Sequence, residues 1–187
     1  MSDELANPAP LGLMGFGITT VLLNLHNAGL YALGPMILSM GIFYGGLAQV
    51  LAGIMEYKKG NTFGTTAFTS YGLFWISLAF MNIFPNIEFW PSPTTPLAFG
   101  SYLLMWGIFT FLMFFATLKI NRALQTVFLT LTILFFMLAI GNYTGISIII
   151  TIAGYEGILC GSSAIYLAIA EILNETYGKT ILPIGKR

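Results

Sequence analysis

Charge is what this chain has least of. Of its 187 residues, seven are Lys or Arg and seven are Asp or Glu, so 7% are charged, where a soluble globular domain carries about 25%. With 57% hydrophobic residues beside so little charge, a water-soluble fold is excluded and the chain calls for lipid. A net charge of zero offers no electrostatic footprint for a nucleic-acid partner. The single cysteine, Cys160, excludes an intrachain disulfide and any cysteine-held metal cluster and reads as a buried packing residue. One histidine, His26, and no nucleophile paired with a base leave an enzyme without its parts. No catalytic residue, metal or cofactor is therefore expected. Met1 to Ala6 holds two acids and no basic residue, unlike a cleavable signal peptide, so the first apolar run is expected to stay in the protein.

The few cations are not scattered. Lys58 and Lys59 follow the second apolar run, Lys119 and Arg122 separate the fourth from the fifth, and Lys179, Lys186 and Arg187 follow the sixth. The other connections carry none. Because cytoplasmic loops retain Lys and Arg, this pattern predicts six spans in a plasma membrane with both termini cytoplasmic.

The spans are expected over about residues 8–25, 35–55, 64–84, 97–118, 123–143 and 147–173, in one all-α membrane domain covering 1–187. Asn7 suits an N-cap and Pro8 the first helical position. His26, Asn27 and Gly29 read as an outer turn, and Glu56 to Asn61 as a polar cytoplasmic turn. Residues 85–96, with four prolines, read as the longest outer loop, with Trp90 at the membrane interface. Gly41 with Gly45, and Gly157 with Gly161, have the spacing that lets helix backbones approach closely in lipid, and are read as packing within one subunit.

Polar groups inside the spans invite two readings each. Glu156 stands about a third of the way into the last span with no Lys or Arg at its depth, and intramembrane carboxylates often mark a proton or ion path. A hydrogen-bonded structural carboxyl is the alternative. His26 is of the type that changes charge near neutrality, and either senses protons or serves as an outer-turn hydrogen bonder. Thr19, Thr20, Asn24, Gln49 and Asn142 either replace water around a polar solute or hold helices together. Glu171 and Glu175, near the inner end of the last span, read as structural. No basic residue lies inside a span, so an anion would be bound weakly, which favours passage over capture.

One stretch is more specific than any of these. Asn7, Pro8, Ala9, Pro10, Leu11, Gly12, Leu13, Met14, Gly15, Phe16 and Gly17, continued by residues 22–27, closely resemble the amino-terminal motif of the acetate uptake transporter family. The likeness extends through residues 40–46, 56–64, 68–72, 114–119, 138–142, 163–168 and 182–185, nearly the whole chain; the 85–96 loop and Glu156 lie outside it.

What the resemblance implies is a homohexamer of six-helix subunits, each with its own pathway for acetate or related short carboxylates such as succinate or formate. It implies a hydrophobic constriction of Phe16, Tyr71 and Leu131, with Asn7, Pro8, Ala9, Pro10, Leu11, Gly12 and Leu13 at the inner mouth. Counted from the inner ends of their helices, the three constriction residues lie at roughly equal depth, about 10 to 12 Å at 1.5 Å per residue. The NH groups of Ala9 and Leu11, at a positive helix end, offer a carboxylate a place to pause, though a rigid capped helix start explains the same residues. Passage as an anion through a channel and passage with a proton through a permease both stay open. A channel for a small neutral solute such as urea, or a sensor that does not conduct, are the alternatives.

Overall fold

The computed structural model describes residues 5–86 and 93–185. The reading of Trp90, and the basic residues Lys186 and Arg187, lie outside the described residues. The helices are α1 (Ala9–Asn27), α2 (Pro35–Lys58), α3 (Thr62–Ile83), α4 (Pro96–Thr117), α5 (Arg122–Thr144) and α6 (Ser147–Tyr177), and no strand occurs among the described residues. This is an all-α, multi-pass membrane protein. Five of the helices are long and apolar enough to cross a membrane; α3, 22 residues long, is diluted by Thr, Ser and Gly and falls short of the same hydropathy. Two of its polar groups reach α4. Tyr71 OH lies 2.9 Å from Thr110 Oγ1, and Ser77 Oγ 2.7 Å from Tyr102 OH.

Local rules set the helix ends, and some differ from expectation. α1 begins at Ala9 with Pro8 as its N-cap, one residue later than the Asn7 cap predicted, because the Asn7 side chain accepts from Ala9 N (3.2 Å) across a two-residue turn. It runs on to Asn27, so His26 and Asn27 belong to its last turn. α2 continues past Met55 to Lys58, which makes Glu56 helical; Gly60 (φ 73°) turns the chain, and Asn61 Oδ1 caps α3 by accepting from Gly64 N. α6 runs past Leu173 to Tyr177. The middle of α2, Phe43–Ala48, is a π segment that the sequence reading did not anticipate. Such a widened turn shifts every later side chain around the helix axis.

The six helices form a closed ring, and five seams are narrow because glycine lets backbones touch. A Cβ on Gly161 of α6 would lie 2.7 Å from Gly17 O of α1, and one on Gly72 of α3 would lie 2.7 Å from Gly46 O of α2. Gly45 packs on Thr19 of α1 and Gly41 against Trp75 of α3, while Gly157 packs on Asn24. Both glycine pairs thus serve contacts within the chain. α4 packs on α5, and α5 on α6, where Cys160 Sγ is buried 3.8 Å from Val127 O. The sixth seam, between α3 and α4, is wider and filled by rings. Phe74 stacks on Tyr102 with centroids 5.6 Å apart, and Tyr71 meets Phe109 edge-on at 5.6 Å.

Lys58, Lys59, Lys119, Arg122 and Lys179 lie at one end of the ring, called the basic end below. The segment after α6 folds back there. Arg122 N donates to Gly185 O and Ala123 N to Ile184 O, both at 3.1 Å, while Asn121 Oδ1 accepts from Leu124 N at 2.7 Å. The first NH groups of α5, which have no partner inside their own helix, are satisfied in this way.

Candidate functional site

Inside the ring, a chamber of about 270 Å³ runs in from the basic end. α1 lines it with Ala9, Leu13 and Phe16, α3 with Gly64, Ala67, Phe68 and Tyr71, and α5 with Leu124, Val127, Phe128 and Leu131. These spacings of three and four residues are single helix faces turned to a common axis. Phe16, Tyr71 and Leu131, all nearly inaccessible, line its deep part. The Phe16 and Tyr71 rings lie 6.1 Å apart at 49°. Thr110 donates to Trp106 O (2.7 Å), so the Tyr71 hydroxyl donates to Thr110, a buried residue of α4 that does not line the chamber. Tyr71 therefore presents ring carbon to the chamber.

At its mouth the chamber turns polar. Glu56, Asn61, Asn121 and Glu171 join its lining, and Ile120, Asn121 and Glu171 also line an adjoining open space of about 720 Å³ with Asn7, Glu175 and Lys179. Asn7 Nδ2 donates to Glu171 Oε2 (3.1 Å), Lys59 Nζ donates to Asn7 Oδ1 (3.4 Å), and Asn61 Nδ2 donates to Glu56 Oε2 (2.7 Å). Glu56 is only 1% exposed. Sequence reasoning placed Glu56 in a polar cytoplasmic turn, whereas it is helical, and both Glu56 and Glu171, the latter read as structural, edge the chamber. The signal available was spacing: Gln49 and Glu56 stand seven apart, two turns of one helix face.

The other predicted residues divide by position. Gln49 lines the chamber and donates to Gly45 O at 2.6 Å. Thr19 packs on Gly45, and Thr20 lies one turn beyond Phe16. Asn24 donates to Thr20 O, accepts from Asn27 Nδ2 and fills the seam against Gly157, outside both chambers. His26 lines a second chamber at the far end, of about 150 Å³, with its Nδ1 2.9 Å from Tyr31 O. Asn142 donates to Leu138 O on its own helix and reaches neither chamber. Glu156, also off both linings, has two buried carboxylate oxygens without a hydrogen-bond partner, one turn from Cys160.

In the inner-mouth motif only Ala9 and Leu13 reach the chamber. The proposed pausing place on free NH groups is corrected. Ala9 N is held by Asn7 Oδ1, and Leu11 N by Pro8 O at 3.1 Å. Among the described residues, no group of three or more His, Cys, Asp or Glu is placed to hold a metal ion.

Comparison with known proteins follows this geometry closely. The sequence pattern of the GPR1/FUN34/yaaH family matches residues 1–184. Succinate-acetate/proton symporter SatP of Escherichia coli K12 is 60% identical over 185 residues, 99% of this chain and 98% of that one. Acetate permease A of Emericella nidulans is 34% identical over 198 residues, 97% of this chain and 66% of that one. The solved structure of the bacterial acetate channel SatP superposes with a TM-score of 0.96 at 59% identity, covering 97% of this chain and 100% of the other.

Proposed function

The chain belongs to the GPR1/FUN34/yaaH family, and from that premise we propose that it carries acetate, and with it short carboxylates such as succinate and formate, across the plasma membrane. Each subunit of a homohexamer has its own pathway, along the axis of its helix ring. In this reading the basic end faces the cytoplasm together with both termini, which the distribution of Lys and Arg supports. The single observation that carries the reading is the chamber of about 270 Å³ whose lining includes Phe16, Tyr71 and Leu131; their closing it at depth is part of the proposal.

The chamber admits a small acid and the layer beyond it restrains one. A bare carboxylate against ring carbon loses its hydration with nothing to replace it. Two modes overcome this: the acid crosses with a proton, or the layer opens to admit water. The names of the relatives support both, one being called a proton symporter and the other a channel. No Lys or Arg lines the chamber, so an anion is held briefly, as rapid passage requires. Glu56 and Glu171 edge the same chamber. Carboxylates there disfavour a second negative charge, which weighs towards entry with a proton.

Acetate uptake into proteoliposomes tests the proposal, with an imposed pH gradient compared with an imposed voltage. Proton-coupled transport responds to the pH gradient and is stimulated by acetate on the far side. An anion channel follows voltage and shows no such stimulation. Protein that accelerates acetate entry under neither drive is no acetate transporter. Competition by urea against labelled acetate, or its absence, separates a neutral-solute channel from an acid-selective one.

A further inference from the structure

On the outside of the helix ring, where α5 and α6 meet at the basic end, lies a groove of about 360 Å³ that the transport reading does not use. Arg122 and Thr126 of α5, Ser163 and Tyr166 of α6, and Pro183 and Gly185 of the returning segment line it, and none of these six lines the chamber. Bonds between its walls fix its shape. Tyr166 OH donates to Pro183 O at 2.8 Å, and Arg122 N to Gly185 O at 3.1 Å. Gly185 (φ 66°) lies against the Arg122 side chain, where a Cβ would come within 2.9 Å of Arg122 Cβ and 3.2 Å of its Cδ. The arginine stem is thus seated on the returning segment while the residue stays exposed.

Among the described residues that line the groove, Arg122 is the only charged one, so no carboxylate opposes it there. Its guanidinium offers a planar fork of donors that suits phosphate oxygens. The hydroxyls have the opposite character. Thr126 Oγ1 donates to Arg122 O (3.1 Å), Ser163 Oγ to Cys160 O (2.7 Å) and Tyr166 OH to Pro183 O, so each presents lone pairs to the groove. A matching ligand joins an anionic phosphate to a neutral group that donates hydrogen bonds. Beyond the polar groove the surface turns apolar, through exposed Leu129 and Ile133 on α5 and exposed Leu159, Tyr155 and Ile152 on α6. Glu156 does not interrupt this strip, because both its carboxylate oxygens are buried. From Ser163 to Ile152 the strip runs about 16 Å at 1.5 Å per residue, close to the roughly 15 Å of one leaflet's hydrocarbon.

We propose that this groove binds one anionic phospholipid whose head is a phosphodiester bearing hydroxyl groups, with the phosphate on Arg122 and an acyl chain along the α5–α6 strip. Basic pockets between membrane helices at one membrane face are of the kind that hold lipid head groups. The order of chemistry along the groove is the order along such a lipid: hydroxyl donors over Thr126, Ser163 and Tyr166, phosphate at Arg122, hydrocarbon over Leu129 and Leu159. A head ending in an ammonium would find no carboxylate in the lining. One ending in a trimethylammonium would leave the hydroxyl lone pairs without a donor. The returning segment supplies one wall, so a bound lipid would also hold Pro183 to Gly185 against α5 and α6.

The test titrates the full-length protein in detergent with phosphatidylglycerol, phosphatidylcholine or inorganic phosphate and counts bound copies by native mass spectrometry. The wild type is expected to hold one phosphatidylglycerol per chain at least about tenfold more tightly than phosphatidylcholine, which has the same phosphate but no donor in its head. Arg122→Gln should lower the affinity for phosphatidylglycerol about tenfold, the size of one hydrogen bond to a charged group. Ser163→Ala should narrow the preference between the two lipids and leave phosphatidylcholine binding unchanged. Equal affinity of the wild type for both lipids overturns the proposal, as does wild-type binding of phosphatidylglycerol by Arg122→Gln. Inorganic phosphate that displaces the lipid at equal concentration makes this a site for the free anion, and also overturns it. A wild type that binds no lipid, with an oligomer mass that falls in Arg122→Gln, gives the groove to a second copy of the chain instead. Should Arg122→Gln fail to fold, the lipid preference of Ser163→Ala decides.

Discussion

Truncating Leu131 to alanine tests the constriction most directly. Leu131 is 3% exposed and stands on the same chamber wall as Phe16 and Tyr71. Burying a leucine in a closed core and then cutting it to alanine costs about 2.7 to 5.0 kcal/mol, more where the void is larger. Here one side of the side chain already faces a space of about 270 Å³. Fewer packing contacts are lost, and the expected destabilisation is at the low end, about 2 to 3 kcal/mol. The folded bundle should survive.

The effect on selection is the larger one. A pocket that must admit one further methylene discriminates by about 1 to 3 kcal/mol, or 10- to 200-fold in rate. Leu131→Ala is therefore expected to raise the ratio of butyrate to acetate flux by at least about tenfold, with acetate flux equal to wild type or greater. The assay is uptake of the two labelled acids into proteoliposomes at equal protein and equal pH gradient. An unchanged ratio in Leu131→Ala, repeated in Phe16→Ala, would refute the reasoning and return these residues to ordinary core.

Other outcomes follow from neighbouring geometry. Glu56→Gln keeps the shape and the Asn61 contact while removing a charge from the chamber, so voltage-driven acetate entry should rise; a fall would mean that the carboxylate itself takes part in transport. Asn61→Ala removes both the α3 cap at Gly64 N and the partner of Glu56, and loss of such a cap lowers stability by about 1 kcal/mol, read as a lower denaturation midpoint in detergent. Gly45→Ala brings a Cβ to within 3.0 Å of Thr19, which should push α1 off the π segment and reduce both thermal stability and flux. Glu156→Gln should shift the pH profile of uptake if that carboxyl relays protons, and leave it unaltered if it belongs to packing.

The helical class was legible from hydropathy, and the gathering of cations at one end from the spacing of Lys58, Lys59, Lys119, Arg122 and Lys179, because lipid imposes both on composition. Individual side chains were legible only where a helical stripe was uninterrupted. Leu13, Phe16 and Thr20 could be aligned by counting, and the same count from Gln49 reaches Glu56 once α2 is carried through to Lys58 rather than ended near Met55. The π segment was invisible for a related reason. Phe43 to Ala48 has the composition of any membrane helix, and what sets it apart in the fold is its close packing against Gly15 and Thr19 of α1 and Gly72 of α3. Asn24 and Asn142 looked like pathway groups because polarity in a span stands out, yet both bond to carbonyls of their own helices. Sequence counts donors, whereas packing decides which of them are already engaged.

The contact of α1 with α6 bears on how the protein is made. Of the six helices described, α1 is synthesised before the others and is received by the glycines at 154, 157 and 161 of α6, which is synthesised after them. Until then Gly17, Val21 and Asn24 face lipid with a notched, partly polar surface. Ring closure thus waits for α6, and a chain interrupted within that helix would leave the other five without an enclosed axis.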